Sequence, residues 1–257
     1  MALHLAPALP WKPSQQAMPD LTKRSYKKEL LDADDIPFDD IRQNMRELNT
    51  VNSLLGGHKI TLAGINAIGT VKRSGHGAHN SLTICEIGCG GGDNLQAINN
   101  HCKKNNINVS FIGIDIKKEC IDFAKKQYPS LNACWITADY AATDLSFSRP
   151  DIIFSSLFCH HFTEHELVKM LLWMKQNSSK GFFINDLQRH PLAYYSIKFL
   201  TGIFSKSYLV KNDAPLSVAR GFKRHEWEAI FKTAGIDHYS IEWKWAFRYL
   251  IVCKHEQ

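Results

Sequence analysis

A glycine-rich segment, EIGCGGGDN at residues 86–94, constrains the fold more than any other part of this sequence. Its first three residues end a short apolar run at 82–88, which is typical of a buried strand. Its last two residues begin a helical pattern at 93–104. Glycine allows sharp backbone turns and lets a ligand approach where a Cβ atom would collide. The segment therefore predicts a ligand-binding turn in an α/β domain, although a simple tight turn would have the same composition.

Short apolar runs alternate with helical patterns along the rest of the chain. Four further runs predict strands at 109–115, 133–139, 151–157 and 181–186, and two closing strands are expected near 236–242 and 244–253. This alternation is typical of a mainly parallel sheet with helices on both faces. It places the chain in the α/β class.

The chain divides into three parts by composition and pattern. Residues 1–20 are rich in Pro, Ala and Gln and predict a disordered tail. Residues 21–80 contain an amphipathic helix at 38–55 and predict an N-terminal helical lid. Residues 81–257 form the expected core domain, and the long interruption at 187–220 predicts an inserted cap.

Charge and cysteine content narrow the cellular setting and the partners. The net charge is +6, from 31 basic and 25 acidic residues without a block of like charges, so nucleic-acid binding is not expected. Seven cysteines without a C-x-x-C pair suggest packed, reduced thiols and no metal site. No apolar run approaches the ~20 residues of a membrane span, and no signal peptide is expected. We expect a cytoplasmic protein.

The acidic residues around the glycine loop discriminate between ligands. The G-x-G-x-G spacing and Asp93 disfavour a pyrophosphate, and the absence of Gly-Lys-Ser/Thr excludes a phosphate-binding P-loop. Asp115 ends the second predicted strand and Asp139 ends the third, so both converge with the loop at the carboxyl edge of the sheet. Carboxylates there can accept hydrogen bonds from a ribose diol and from an adenine amine. Each acid alone would also serve as a helix cap.

These motifs together resemble a known family. E-x-G-C-G-x-G-D, F-I-G-I-D, A-D-Y and D-I-I-F-S-S-L are similar to those of class I S-adenosylmethionine-dependent methyltransferases. The resemblance implies a Rossmann-like, seven-stranded, mainly parallel sheet of order 3-2-1-4-5-7-6, with strand 7 antiparallel. It also implies S-adenosylmethionine as cofactor and S-adenosylhomocysteine as product. The implied cofactor-binding residues are Glu86, Gly88, Cys89, Gly90, Gly92, Asn94, Asp115, Ile116, Asp139, Tyr140, Ser156 and Leu157.

A narrower resemblance covers the segments outside the core motifs. Residues 45–62, 185–201 and 214–222 are similar to bacterial small-molecule methyltransferases associated with polyketide and pigment pathways. It implies that four residues lie at the amino-acid end of the cofactor, namely Asn52, Gly56, Gly57 and His58.

The acceptor side is predicted from residues after the fourth and fifth strands. His160 and His161 are candidate catalytic bases, since a histidine can take a proton from a phenol or an acid; packing or helix capping is the alternative. A zinc site using this pair is disfavoured, because adjacent residues are poorly placed to share a metal. The candidate substrate-binding residues are Arg189, Tyr194 and Tyr195, with Arg189 equally able to pair with Asp186 or Asp213.

The aromatic cap favours a small, apolar or aromatic acceptor. The first hypothesis for the reaction is O-methylation of a phenolic, carboxylic or polyketide-like molecule. C-methylation of a quinone-like ring and a non-catalytic cofactor-binding subunit stay open as alternatives. The glycine spacing disfavours an NAD-dependent oxidoreductase. The sequence is compatible with a monomer and with a homodimer.

Overall fold

The computed structural model describes residues 19–33, 35–69 and 81–255. The expected N-terminal tail lies outside these residues except for its last two positions. Residues 73–80, RSGHGAHN, have a composition that predicts a loop, and they also lie outside the described ranges.

Seven strands form one sheet. They are Leu82–Ile87 (β1), Val109–Asp115 (β2), Ala133–Thr137 (β3), Ile152–Ser156 (β4), Gly181–Leu187 (β5), Ser240–Lys244 (β6) and Arg248–Lys254 (β7). Their order is β3-β2-β1-β4-β5-β7-β6. The pairs among β1 to β5 are parallel, whereas β7 runs antiparallel to both β5 and β6. The predicted fold class, including the strand order, is confirmed.

Eight α-helices accompany the sheet in the described residues. They are Phe38–Leu54 (α1), Gly57–Ile68 (α2), Asp93–Lys104 (α3), Lys118–Gln127 (α4), Glu164–Asn177 (α5), Pro191–Phe204 (α6), Tyr208–Arg220 (α7) and Arg224–Thr233 (α8). Local signals explain several of their ends. Thr163 and Glu166 form a capping box before α5, and Gly235 follows α8 with a left-handed φ of 64°.

Hydrophobic residues pack on both faces of the sheet. On one face, α5 and α8 bury Met170, Trp227 and Phe231 against β5 and its neighbours. On the other face, α2 and α3 cover a second cluster in which the rings of Phe154 and Phe183 stack at 4.8 Å. Successive side chains of a strand point to opposite faces, so the continuous apolar runs of β4 and β5 supply both clusters.

Helix α2 lies unusually close to the sheet because of Gly64. A Cβ atom at Gly64 would lie 2.5 Å from the Phe183 ring, so a larger residue would push the helix away. This contact brings the start of α2 over the carboxyl ends of β4 and β5. None of the helices in the described ranges is long and apolar enough to cross a membrane.

The expected insertion forms the helices α6 and α7, which pack on each other through Tyr194, Val218 and Ala219. An extended N-terminal segment at residues 20–33 runs alongside α7, and the Ser25 amide donates to the Ala219 carbonyl at 3.0 Å. The segment and the insertion therefore cover the same edge of the sheet.

Candidate active site

The glycine loop has a left-handed φ at three glycines, including 49° at Gly90, and at two of them it also leaves no room for a Cβ atom. Gly88 and Gly92 have left-handed φ values of 66° and 77°. A Cβ atom would lie 2.3 Å from the Phe158 ring at Gly88 and 2.5 Å from the Trp135 ring at Gly92. The loop thus turns sharply between β1 and α3 while packing against two aromatic side chains.

Asp115 at the end of β2 fixes the loop from the side. One carboxylate oxygen accepts from the Gly90 amide at 2.9 Å, and the other accepts from the Lys117 amide at 2.9 Å. Burial raises the pKa of Asp115, although these two backbone hydrogen bonds oppose the rise. Next to it, the Ile116 side chain is 69% exposed and offers an apolar surface at the rim of the crevice.

Glu86 lies at the floor of the same crevice and keeps an unfilled acceptor. Its Oε1 accepts from Asn94 Nδ2 at 2.8 Å, whereas Oε2 is buried without a hydrogen-bond partner among the described residues. Burial and the nearby Asp93 raise the pKa of Glu86 well above its ordinary value. A buried acceptor of this kind fits a donor group on a ligand.

Asp139 and Tyr140 follow β3 in different environments. The exposed Asp139 caps a short 3-10 turn by accepting from the Ala141 amide at 2.9 Å. The Tyr140 ring packs edge-to-face against Trp173 at 5.3 Å, and burial raises the pKa of its hydroxyl.

Three further residues expected to bind the cofactor, Cys89, Ser156 and Leu157, lie at or next to the ends of β1 and β4. Cys89 is buried, and burial raises the pKa of its thiol well above the ordinary value. The Ser156 hydroxyl lies 3.3 Å from Asn185 Nδ2. Leu157 adopts a left-handed φ of 54°, which costs a non-glycine residue on the order of 1 kcal/mol or more. Strain of this size immediately after β4 is typical of a functional site.

His160 lies in a 3-10 turn after β4 and is enclosed by two carboxylates. Its Nδ1 is 2.8 Å from Asp186 Oδ1, and its Nε2 is 3.4 Å from Glu29 Oε1. Burial favours the neutral ring, but Asp186 and Glu29 outweigh it and raise the pKa of His160 to about 9. His160 is therefore a buried imidazolium at neutral pH.

His161 is the more accessible ring of the pair. Its Nδ1 lies 3.2 Å from Asp32 Oδ1 and its Nε2 lies 3.6 Å from Glu29 Oε2, while its side chain keeps 23% of its exposure. Burial acts to raise the pKa of Asp32, yet the contact with His161 and further partners lower it to about 2. Asp32 stays ionised and faces the ring.

Two arginines hold the backbone of the histidine turn. Arg220 donates to the His160 carbonyl at 3.0 Å and to the His161 carbonyl at 2.9 Å. Arg24 donates to the His160 carbonyl at 2.8 Å. No local sequence motif links the N-terminal segment to a turn about 130 residues away, so Arg24, Glu29 and Asp32 could not be predicted as site residues.

Glu29, His160 and His161 bring possible metal-ligating atoms within 4.8 Å of one another. Both ring nitrogens of His160 already face carboxylates, and the raised pKa of His160 keeps a proton on each of them. Ion pairs of the two rings with Asp186, Asp32 and Glu29 account for the proximity of these atoms.

The three expected substrate-binding residues lie on or beside α6, with different exposure. Arg189 pairs with neither Asp186 nor Asp213, and that expectation is wrong. Its guanidinium is buried against Glu226, with Nη2 to Oε1 at 2.6 Å, and it also donates to the Gly221 carbonyl at 2.6 Å. Tyr194 is buried, whereas Tyr195 is 45% exposed.

The residues expected at the amino-acid end of the cofactor meet at the start of α2. His58 Nε2 lies 2.8 Å from Asp93 Oδ2, which joins α2 to the glycine loop. Asn52 accepts from Arg248 Nη1 at 2.9 Å, and Gly56 caps α2 with a left-handed φ of 78°. Sequence patterns did not single out Arg248 because its position in β7 follows from the sheet register.

Comparisons with known proteins agree with the observed fold. Residues 84–181 match a family model described as a methyltransferase domain. The fold is similar to the plantazolicin methyltransferase BpumL in complex with SAH, at 20% identity and a TM-score of 0.55, covering 80% of this chain and 72% of that chain. No curated protein sequence matches this chain.

Two further structures share the fold. Human N-acetylserotonin methyltransferase in complex with SAM aligns at 16% identity and a TM-score of 0.58, covering 86% of this chain and 57% of that chain. A putative O-methyltransferase from Nostoc punctiforme PCC 73102 aligns at 14% identity and a TM-score of 0.55, covering 82% and 60%. The chain spans less than two thirds of the length of these two proteins.

Residues 84–181, less than half of the chain, match the methyltransferase-domain model, and the sheet that contains them has the strand order expected for a Rossmann-like methyltransferase fold. The residues present fit the S-adenosylmethionine expected from the sequence, since Glu86 Oε2 offers a buried acceptor beside a loop that excludes Cβ atoms.

Proposed function

We propose that this chain is an S-adenosylmethionine-dependent methyltransferase that acts on a small, apolar or aromatic acceptor and methylates an oxygen atom. The observation that carries the proposal is the position of the histidine turn, which follows β4 at the same sheet edge as the glycine loop. His161 influences the pKa of Asp115, so the ring lies near the cofactor crevice. A proton acceptor next to a methyl donor suits an acceptor with an ionisable hydroxyl.

The cofactor would lie across the carboxyl ends of β1 to β4. We assign Gly88, Gly90 and Gly92 to the backbone beneath it, Asp115 to the ribose hydroxyls and Ile116 to the adenine face. Asp139 and Tyr140 would flank the adenine edge, while Ser156 and Leu157 lie on the sulfonium side with Cys89 and Asn94 shaping the loop. The exposure of Ile116 supports this placement. Its side chain is 69% exposed and offers an apolar surface against which the flat adenine ring can pack.

S-adenosylmethionine supplies an activated methyl group on a sulfonium centre, so the protein has to orient the acceptor and remove its proton. We assign proton removal to His161, whose ring keeps some exposure. Its Nδ1 can donate to Asp32 at 3.2 Å, while its Nε2, 3.6 Å from Glu29 Oε2, makes no hydrogen bond to that carboxylate and can accept a proton. We assign to His160 the role of a positioning residue, because it is buried, already protonated and held by Asp186.

The N-terminal segment and the inserted helices would enclose the acceptor. We propose that residues 21–80 act as a lid and 187–220 as a cap over the histidine turn. Exposed aromatic and aliphatic side chains on α6 support an apolar or aromatic acceptor: Leu192, Tyr195, Phe199, Ile203 and Phe204. Seven unpaired cysteines, six of them buried, favour the reducing cytoplasm as the location.

The test is a methyl-transfer assay with purified protein, S-adenosylmethionine and a panel of phenols, aromatic acids and quinols, followed by fragmentation mass spectrometry. We expect an O-methyl ether or ester, and a slower reaction in His161→Gln with unchanged S-adenosylhomocysteine affinity. The exposed His225 on α8 gives the control variant His225→Gln. A carbon-bound methyl group would favour the quinone-ring alternative, and cofactor binding without turnover on any acceptor would favour a non-catalytic subunit.

A further inference from the structure

Arg248, the first residue of β7, is a buried cation without an ion-pair partner among the described residues. It is 2% exposed, and its Nη1 donates to the neutral Asn52 Oδ1 at 2.9 Å. Its Nε is buried with no hydrogen-bond partner, and no carboxylate within the described residues forms an ion pair with it. Burial lowers the pKa of Arg248 to about 10, which still leaves the guanidinium charged at neutral pH.

The two acidic side chains that act electrostatically on Arg248 are already engaged elsewhere. Asp93 and Asp186 both act on Arg248 through space. However, Asp93 Oδ2 lies 2.8 Å from His58, and Asp186 Oδ1 lies 2.8 Å from His160. The guanidinium therefore has no acceptor among the described residues that matches its planar fork. A buried charge without a direct partner is costly.

The guanidinium faces the N-terminus of α2. A Cβ atom at Gly57 would lie 2.6 Å from Arg248 Nη1 and would overlap Asn52 Oδ1, so only glycine leaves room there. The first intrahelical bond of α2 runs from the Ile60 amide to the Gly56 carbonyl at 3.2 Å. The amides of the first turn precede that bond, and such groups at a helix start favour an anion.

We propose that Arg248, together with Asn52 and the first turn of α2, binds a ligand carboxylate group. A single negative charge suits the position, since Asp93 and Asp186 nearby would repel a dianion. The inference rests on the proposed function, because the ligands that bring a carboxylate here are the methionine part of the cofactor and a carboxylate-bearing acceptor. Both sources present the same chemistry to the guanidinium.

Calorimetry with two nucleosides distinguishes the sources. S-adenosylhomocysteine carries the carboxylate, whereas 5′-methylthioadenosine shares the nucleoside and thioether without it. We expect Arg248→Met to weaken S-adenosylhomocysteine binding by roughly 10- to 100-fold and to leave 5′-methylthioadenosine binding unchanged. Arg224, an exposed arginine paired with Glu228 on α8, provides the control variant Arg224→Met, which should change neither affinity.

If S-adenosylhomocysteine affinity is unchanged in Arg248→Met, a second experiment tests whether Arg248 binds the carboxylate of the acceptor instead. Benzoate titrated into the S-adenosylhomocysteine-saturated wild type should then shift the amide resonances of α2 in NMR spectra, and Arg248→Met should abolish the shifts. Absence of both effects overturns the inference, as does an equal loss of affinity for both nucleosides. Should Arg248→Met fail to fold, Arg248→Lys replaces it, because it keeps the charge and removes the fork. If neither nucleoside binds the wild type, the proposed function itself fails.

Discussion

The buried charge on His160 makes the stability of this protein dependent on pH. The folded state raises the pKa of His160 from 6.5 to about 9 because Asp186 and Glu29 outweigh the effect of burial. A raised folded pKa contributes stability that is fully present below the unfolded pKa and is lost as the pH rises through the folded value. The contribution should therefore be complete near pH 6 and almost absent near pH 10.

The size of the effect follows from the two pKa values. One pKa unit corresponds to about 1.4 kcal/mol, so a rise from 6.5 to about 9 corresponds to about 3 kcal/mol of unfolding free energy. This is a large part of the ~5–15 kcal/mol of an ordinary domain. The ion pairs of His160 with Asp186 and Glu29 form one coupled network. The value of about 3 kcal/mol is therefore the contribution of the whole network, and the two ion pairs do not each add that amount.

Urea unfolding at pH 6 and pH 9.5 measures the effect in the wild type and in His160→Asn. Asparagine keeps a donor for Asp186 and does not titrate, so other groups that titrate in this range contribute to both proteins. We expect the stability advantage of the wild type to shrink by about 3 kcal/mol between the two pH values. The exposed His225 supplies the control variant His225→Asn, which should follow the wild type. An advantage that changes by less than about 1 kcal/mol would refute the assignment of a buried imidazolium.

Three further substitutions test the site and its supports. Gly88→Ala should abolish measurable S-adenosylhomocysteine binding in calorimetry and lower the melting temperature, because its Cβ would lie 2.3 Å from Phe158 at a left-handed φ; unchanged binding would contradict the loop geometry. Asp115→Asn should weaken S-adenosylhomocysteine about 10- to 100-fold, since the amide loses the bond from Gly90 or a ribose contact; equal affinity in a folded variant would remove Asp115 from the site. Glu226→Gln should destabilise the protein by about 2 kcal/mol in urea unfolding, because Arg189 is left buried without its anion, and a neutral result would return Arg189 to the acceptor site.

The sheet could be predicted from the sequence because each strand carries its own signal. The predicted runs at 109–115 and 82–88 differ from β2 and β1 by at most one residue at an end, and the capping box before α5 fixed a helix start. These signals are local, since apolar runs, glycines and caps act on neighbours in the chain. The strand order came from the family resemblance and not from the pattern of residues alone.

The surroundings of the histidine turn could not be predicted in the same way. Glu29 and Asp32 lie more than 120 residues before His160 in the sequence, and their segment carries mixed charges typical of a solvated surface. Only the folded chain shows that α7 binds this segment, through Asp213 accepting from the Leu30 amide at 2.8 Å. The expected partners of Arg189 were wrong for the same reason, because Glu226 comes close only when α8 packs beside the cap.

These long-range contacts connect the proposed acceptor site to both covering segments. Arg220, the last residue of α7, donates to the carbonyls of the histidine turn and also to the Lys27 carbonyl at 2.8 Å. Glu29 from the N-terminal segment reaches both histidine rings. A displacement of the cap or of the segment would therefore remove a carboxylate from His161 and a donor from its backbone together. The orientation of the proposed base thus depends on closure of the segments that would enclose the acceptor, which links proton removal to exclusion of water.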